Sequence, residues 1–138
     1  MNEKEIEAFK NRLKNYNFHI EQIEEITGEI NIVFYDLTGV KGASYDYHAP
    51  CTNQAIKNEH RTDLLEKLEE LEGKKKAHQE ELDKLNAMLN QLNKTDKEFV
   101  KKKFINNFTY DELSNQSYMA RTTIQYRIDK AIKDIRYL

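Results

Sequence analysis

Between Ile6 and Leu37, apolar residues recur at alternating intervals of three and four positions. The series is Ile6, Phe9, Leu13, Tyr16, Ile20, Ile23, Thr27, Ile30, Phe34 and Leu37, with Thr27 as its one polar member. This spacing is typical of a coiled-coil seam, where each helix presents a narrow apolar stripe to its partner. The pattern predicts one long helix over residues 6–37.

A second series with the same spacing follows later in the chain. It consists of Leu64, Leu68, Leu71, Lys75, His78, Leu82, Leu85, Leu89 and Leu92, and Lys75 and His78 interrupt it. At ~1.5 Å per residue, each of the two predicted helices would be roughly 45–50 Å long. We expect both to be largely exposed, with one buried stripe each.

Residues 38–57 separate the two series and contain Gly39, Gly42 and Pro50. A loop of this length can reverse the chain, so the prediction is a long antiparallel coiled-coil hairpin. In that arrangement Thr27 and Lys75 would lie at about one level and form a polar layer that sets the register. The alternative is a parallel dimer that uses one helix from each subunit. Because two helices bury little surface, we expect self-association, with a homodimer the simplest form. The Leu stripe could also serve as a partner-binding groove.

After residue 93 the apolar pattern becomes shorter and predicts three small helices. Thr109 followed by Glu112 is a capping-box pattern that marks a helix start, and Ser114 is a small residue where two crossing helices would come close. Residues 115–120 can supply a turn. The next helix, from Arg121, has apolar residues on one face at helical spacing, namely Ile124, Ile128, Ala131, Ile132 and Ile135.

The opposite face of this last helix is polar and basic. It contains Arg121, Thr122, Gln125, Tyr126, Arg127 and Lys130. Donors suited to base edges, flanked by cations suited to phosphates, are the composition of a DNA-recognition helix. The segment therefore predicts a helix-turn-helix.

Charge divides the chain in the same way. Residues 1–93 hold 12 Lys and Arg against 18 Asp and Glu, whereas residues 94–138 hold 10 against 6. A basic module attached to an acidic arm is typical of a nucleic-acid-binding protein whose other part has another role. The expected organisation is all-α, with a helical arm at 1–93 for oligomerisation or partner binding and a DNA-binding domain at 94–138.

Several classes of protein are not expected. The single cysteine, Cys51, excludes an internal disulfide and suits a reducing cytosol. The acidic N-terminus does not resemble a signal peptide, and no apolar run approaches the ~18–20 residues of a membrane span. We therefore expect a cytoplasmic protein without membrane contact.

No cofactor or catalytic site is expected either. Asp46, His48, Cys51 and His60 lack the paired spacing of structural zinc ligands. Gly39 and Gly42 have no preceding strand and no following Gly-Lys-Ser/Thr, which excludes a P-loop. The many Glu residues follow helical spacing and solvate outer faces. The chain is therefore not expected to be an enzyme or to bind a metal.

Residues 92–136 resemble region 4 of sigma-70-type factors, especially the compact extracytoplasmic-function kind. The matching positions are Leu92, Phe99-Val100, Phe104-Ile105, Thr109-Tyr110-Asp111-Glu112-Leu113-Ser114, Ser117-Tyr118-Met119-Ala120, Thr123-Ile124 and Ala131-Ile132-Lys133-Asp134-Ile135-Arg136. Asn107 stands where that family often has Gly, and Asn tolerates a left-handed helix end. Three positions depart from the pattern. Ser117 replaces a core Leu, Tyr118 replaces the turn Gly, and Ala120 replaces a capping Ser or Thr.

The full chain is also similar to small phage and prophage regulators of Gram-positive bacteria, the ArpU- and RinA-like late-gene activators. That resemblance implies promoter DNA as ligand and host RNA polymerase as a possible partner. Arg121, Thr122 and Gln125 would lie nearest the base edges, with Tyr126, Arg127 and Lys130 at the backbone or groove wall, and Thr123 is a further candidate DNA contact. Thr109 and Tyr110 would point amides and hydroxyls at a phosphate, and residues 101–103 would add salt-dependent attraction.

Two other functions fit the same pattern. A phage small terminase subunit also combines a helix-turn-helix with helical oligomerisation, although it usually places the DNA module first and forms rings. Alternatively, the sigma-like unit binds RNA polymerase or another regulatory protein and contacts DNA weakly. Substituting Arg121 and Gln125 together separates this second alternative from DNA recognition.

Overall fold

The computed structural model describes residues 1–38 and 54–138, and of residues 54–58 it describes the backbone alone. Every regular element in those ranges is a helix. They are α1 (Glu3–Lys14), α2 (Tyr16–Thr38), α3 (Gln54–Leu89), α4 (Lys94–Val100), α5 (Tyr110–Ser117) and α6 (Arg121–Lys133), and α4 continues directly into a π-helical segment, Lys101–Ile105. The all-α prediction is confirmed. No helix in the described ranges is long and apolar enough to cross a membrane.

The predicted loop at 38–57 falls mostly outside the described residues. At its edges, Thr38 is the last residue of α2, and α3 already begins at Gln54, so the prediction placed the start of the second long helix too late. Asp46, His48 and Cys51 also lie outside the described residues.

The helices form two compact units. The core unit consists of Met1–His19 and Glu80–Leu138, and the hairpin unit of Ile20–Gln79. The predicted boundary at residue 93 rested on the change in apolar pattern and on charge, whereas packing groups residues 1–19 and 80–93 with the C-terminal helices. The boundary of a functional DNA-binding domain stays a prediction.

The first predicted helix is in fact two helices, separated at Asn15. The first begins at Asn2, whose Oδ1 accepts a hydrogen bond from the Glu5 amide (2.8 Å) while the Glu5 carboxylate accepts one from the Asn2 amide (3.0 Å). It ends where the Asn15 amide donates to the Arg12 carbonyl at 3.1 Å, a tight last turn. The apolar spacing continues from Leu13 to Tyr16 across this break, and so the pattern alone did not reveal it.

In the hairpin unit, α2 and α3 pair in antiparallel orientation, as predicted. Ile26 and Val33 of α2 and Leu71 of α3 are buried together. Partly buried side chains extend this small core, namely Ile30, Leu37, Leu64 and Leu68. Both helices of this pair belong to one chain, as in the predicted hairpin, and the alternative pairing between subunits stays a prediction.

The predicted seam on α2 is wrong by one position along part of its length. Ile26 and Val33 are buried, whereas Phe34 is 53% exposed. Residues 30–37 have apolar side chains on every side of the helix, so neighbouring registers fit the spacing almost equally well. The observed register replaces Thr27 with the more apolar Ile26. The single hydroxyl hydrogen of Thr27 goes to the Ile23 carbonyl at 2.6 Å, and Thr27 therefore donates nothing to the polar layer that was predicted with Lys75.

The core unit has a larger buried interior, and both ends of the chain contribute to it. Phe9 and Leu13 of α1 are fully buried with Leu85, Met88 and Leu89 of α3. The later helices add Phe99, Val100, Phe104, Ile105, Leu113, Ile124, Ile128, Ile132 and Ile135. At about 25 cal/mol per Å² of apolar surface removed from water, this cluster is the main stabilising feature of the unit.

Polar contacts fix α1 and the start of α2 to the end of α3 within the core unit. The Arg12 Nε donates to Glu81 Oε1 at 2.6 Å, and the Tyr16 hydroxyl donates to Asn86 Oδ1 at 2.9 Å. These pairs join residues about seventy positions apart in sequence. The core that supports α4 to α6 therefore requires residues that the sequence analysis assigned to the arm.

The π-helical segment widens the end of the α4 helix. The Asn106 amide donates to the Lys101 carbonyl, five residues back, at 3.0 Å, and the Phe108 amide donates to the Lys102 carbonyl at 2.9 Å. Asn107 then takes the left-handed conformation, with φ of 60°, as expected for this position. The wider turn allows the adjacent Phe104 and Ile105 both to be buried.

Candidate nucleic-acid interface

The backbone from α5 to α6 is fixed by short-range hydrogen bonds. Thr109 caps α5, because its hydroxyl oxygen accepts from the Glu112 amide at 3.1 Å, which confirms the predicted helix start. Ser117 ends α5, and residues 118–120 lead into α6. The Tyr118 amide donates to the Ser114 carbonyl at 3.0 Å, and the Ser114 hydroxyl donates to the Met119 carbonyl at 2.6 Å. Ser114 is thus more than a small residue at a close approach, since it holds the turn.

The inner side of α6 is apolar, as predicted from the spacing. Ile124, Ile128 and Ile132 are fully buried, and Ala131 and Ile135 are buried beside them. α4 and α5 cover this side with Val100 and Leu113 in the same core. Consequently α6 cannot rotate about its axis, and the residues that it presents outward are determined by the core.

The outward residues of α6 include most of the predicted DNA contacts. Arg121, Thr122, Thr123, Gln125, Tyr126 and Lys130 are all exposed. The spacing of Thr122, Tyr126 and Lys130 places them one above another along the helix. Sequence reasoning missed Asp129, which is exposed one turn after Gln125. Because Asp129 repels phosphate, the first two turns of α6 are better suited to DNA than its end.

Arg121 makes only a weak contact within the protein. Its Nη1 lies 3.4 Å from Asp111 Oδ1 of α5, and the two side chains are 61% and 74% exposed. Ion pairs this exposed contribute little because water and salt screen them. Arg121 can therefore exchange Asp111 for another anion at small cost.

Arg127 makes closer contacts within the protein than its sequence position indicated. Its Nε donates to Asp96 Oδ1 of α4 at 2.5 Å, and its guanidinium lies 5.8 Å from the centre of the Phe99 ring. The Asp96 side chain is only 17% exposed. This pair ties α6 to the first turn of α4, a structural role that the sequence analysis did not assign to Arg127. The sequence contained one signal that Asp96 has a structural position. Asp96 lies three positions after Asn93, and the Asn93 side chain caps α4 by accepting a hydrogen bond from the Asp96 amide.

The side of α6 that faces α4 borders an open groove of about 390 Å³. Its lining consists of Asp96, Met119, Thr123, Tyr126, Arg127, Lys130, Ala131 and Asp134. Two carboxylates offset two cations here, so the groove is not a uniformly basic surface. The structure brings four of the predicted contact residues of α6 together along it.

The two predicted contacts on α5 are placed differently. The Thr109 hydroxyl is occupied within the first turn, where it bonds both the amide and the carboxylate of Glu112. Tyr110 is half-buried, with Lys103 Nζ 4.6 Å from its ring centre. Burial raises the pKa of the Tyr110 phenol, and the negative charge of Asp129 raises this pKa further. Tyr110 therefore stays protonated as a hydrogen-bond donor at neutral pH.

The beginnings of α5 and α6 differ in charge and capping. Asp111 and Glu112 lie in the first turn of α5, where they already offset the positive end of the helix dipole. The first turn of α6 contains no acidic residue, and Ala120 has extended backbone without a side-chain cap, as expected from its alanine. Of these two helix starts, the one at Arg121 is the better suited to an external anion.

The lysines at 101–103 are less available than their sequence suggests. All three are half-buried. Lys103 lies against Tyr110, and Lys102 Nζ is 3.5 Å from Gln116 Oε1. Any attraction of these lysines for an anion would therefore act mainly through the long-range field and not through fully extended side chains.

Within the described residues, no group of three or more His, Cys, Asp or Glu is placed to hold a metal ion. Comparisons with protein-family models, curated proteins and solved structures find no match to this chain.

Proposed function

We propose that the protein is a sequence-specific DNA-binding transcriptional regulator, a phage or prophage late-gene activator that acts at promoters with host RNA polymerase. The main supporting observation is the start of α6. There, Arg121 and Thr122 are exposed in a first turn without acidic residues, and Gln125 is exposed one turn later, on a helix whose orientation is fixed by the core. The resemblance of residues 92–136 to sigma-70 region 4 is the basis for interpreting α5 and α6 as a helix-turn-helix and for proposing promoter DNA as the ligand.

In this proposal α6 enters the major groove with its N-terminal half. Arg121 can bond the O6 and N7 of guanine in bidentate fashion, and Gln125 can bond the N6 and N7 of adenine. Thr122 and Thr123 add short hydroxyl contacts. Tyr126 and Lys130 meet the backbone or groove wall, and Arg127 joins them only by exchanging Asp96 for a phosphate. Thr109 and Tyr110 remain candidates for backbone contacts.

The proposed protein is a dimer that presents two such modules to paired half-sites. Self-association is supported by the hairpin unit, where Ile32 and Phe34 of α2 are more than half exposed. Large apolar side chains on a helix surface favour a further partner. Two recognition helices related by a twofold axis would require a pseudo-palindromic operator.

The test is a salt-dependent DNA titration with the full chain, on random-sequence duplex and on duplex from the DNA that flanks its own gene. Tight, sequence-selective binding that weakens steeply with salt supports the proposal. The double variant Arg121→Ala/Gln125→Ala should lose about 100-fold in affinity for the preferred sequence and little on random duplex.

Lys74→Ala is the matched control for the Arg121 substitution. Lys74 is as exposed as Arg121 and makes the same kind of surface ion pair, with Glu70 at 3.2 Å, but lies on α3 in the hairpin unit. Its removal should leave DNA affinity unchanged. Absence of wild-type binding at low salt would refute the proposed function.

A second candidate is a protein-binding module that regulates through RNA polymerase or another protein. Exposed aromatic residues favour it, since Tyr118 and Tyr126 stand out from the α5–α6 region and Tyr is enriched in protein interfaces. The internal pairing of Arg127 and the negative charge of Asp129 favour it as well. If the Arg121/Gln125 double variant keeps full regulatory activity, this candidate replaces DNA recognition.

A further inference from the structure

Tyr118 combines two features that are each unfavourable for an aromatic residue. Its backbone is left-handed, with φ of 58° and ψ of 28°, a conformation that glycine adopts readily and bulky residues rarely do. Its side chain is 96% exposed. The ring thus has almost no packing that could offset the backbone strain.

The surrounding turn maintains this conformation. The Tyr118 amide is bonded to the Ser114 carbonyl, and the carbonyl of the next residue, Met119, accepts from the Ser114 hydroxyl. Met119 is packed against the core. The backbone is therefore fixed on both sides of Tyr118 while the ring points into solvent. Strain that the surrounding structure maintains is concentrated in proteins at functional positions.

Tyr118 also lies beside the part of the molecule that the proposed function uses. It is three residues before Arg121, at the entry to the uncapped, acid-free first turn of α6. When a recognition helix enters the major groove with its N-terminus, the preceding turn lies close to the sugar-phosphate backbone. A phenol hydroxyl is one of the donors that proteins use for phosphate oxygens.

We propose that Tyr118 is a DNA-backbone contact whose hydroxyl donates to a phosphate oxygen and so positions α6 in the groove. This inference rests on the proposed function. It assigns a role to a residue at which the sigma-like pattern has glycine, and it explains why an exposed aromatic occupies a strained turn.

The experiment compares four full-length variants in the same salt-dependent titration. Tyr118→Phe retains the ring and the backbone and should lower affinity about tenfold, equally on random and preferred duplex. Because tyrosine is neutral, the contact releases no counterions, so the slope of log affinity against log salt should not change. Lys130→Ala, which removes a cation proposed to meet the backbone, should in contrast reduce that slope by about one.

Tyr118→Gly relieves the strain and should keep or raise the thermal midpoint, by up to about 3 °C, while lowering DNA affinity at least as much as Tyr118→Phe. Asn107→Gly is the matched control. Asn107 is the other non-glycine residue with positive φ in the described chain, and its replacement should have a similar effect on stability with unchanged affinity.

The outcomes separate this inference from the proposed function. If the wild type binds DNA and Tyr118→Phe binds equally well, the inference is wrong and the proposed function stands. A loss with Tyr118→Gly but not with Tyr118→Phe also refutes the hydroxyl contact. If the wild type does not bind duplex DNA, the proposed function fails first, and the inference fails with it.

Discussion

The two compact units bury their apolar residues in different ways. In the core unit, side chains from both ends of the chain enclose fully buried residues such as Leu85, Met88 and Ile128. In the hairpin unit, Ile26, Val33 and Leu71 lie between two helices, and large apolar residues nearby remain exposed. An apolar residue in the core unit is therefore covered more completely than one in the hairpin unit and stabilises its own unit more. What matters is how many sides of a residue the fold can cover.

The largest expected difference is between identical substitutions in the two units. Ile128→Ala should lower the free energy of unfolding by about 4 kcal/mol, because its cavity is enclosed, whereas Ile26→Ala should cost about 2 kcal/mol, because a two-helix interface can partly close over the loss. Urea titration followed by circular dichroism measures both. Equal costs would mean that Ile26 is enclosed as completely as Ile128, which the residues of the hairpin unit alone do not explain.

The core unit also depends on its helix caps. Thr109→Ala should cost about 1 kcal/mol, because the Glu112 amide loses its acceptor. Ala120→Ser should stabilise by about 0.5–1 kcal/mol through the missing cap of α6. The same urea titration measures both, and a neutral Ala120→Ser would show that the first turn of α6 already has an acceptor.

The ion pair between Arg127 and Asp96 offers a smaller test. A double-mutant cycle with Arg127→Met and Asp96→Asn should give a coupling energy of about 1 kcal/mol, since the pair is partly buried and closely spaced. Arg121→Met with Asp111→Asn is the exposed reference pair, for which coupling of about 0.3 kcal/mol is expected. Similar coupling in both cycles would contradict the structural role of Arg127.

The register of α2 can be tested by substitutions that should matter little. Thr27→Ala should change stability by less than about 0.5 kcal/mol, because the residue bonds its own helix and lies beside the seam and not in it. The register predicted from the heptads instead makes Thr27 a seam residue whose replacement by Leu would stabilise the pair. Thermal melts of Thr27→Ala and Thr27→Leu distinguish the two registers.

The smallest expected effect is a pH dependence at Tyr110. Its pKa in the folded protein is raised above the ordinary value of 10.0, first by burial and then by Asp129. The stability that comes from keeping the phenol neutral is fully present below pH 10 and is lost as the pH rises through the raised pKa. Tyr110→Phe should therefore lose less stability above about pH 10 than the wild type does. Identical profiles would show that Tyr110 titrates normally.

Local signals in the sequence predicted local structure well. Thr109 with Glu112 located a helix start, Asn107 marked a left-handed helix end, and the spacing of Ile124, Ile128 and Ile132 defined the buried side of α6. Each of these features depends on contacts within a few residues. The cap formed by Asn2 and Glu5 has the same kind of local signal, although it was not predicted.

Features that depend on distant parts of the chain were not predicted. The heptad pattern could not choose between Ile26 and Thr27, because that choice is made by the packing of α3. It also gave no sign that Phe9 would join the core of the C-terminal helices. The hydrogen bond of Arg127 to Asp96, 31 residues away, could not be predicted for the same reason. Arg127, a basic residue on the predicted recognition face, is therefore less available to a ligand than its position in the sequence indicates.

The π-helical segment affects how the length of this chain can vary. A turn with five-residue spacing holds one residue more than the α-helical turn it replaces, while the flanking turns keep their directions. Deleting one of the lysines at 101–103 should convert the segment to α-helix and leave Val100 and Leu113 in the core. Deleting one residue from α6 would instead rotate everything after the deletion by ~100°. Among related chains, gaps should therefore be tolerated at 101–105 and absent between Arg121 and Lys133.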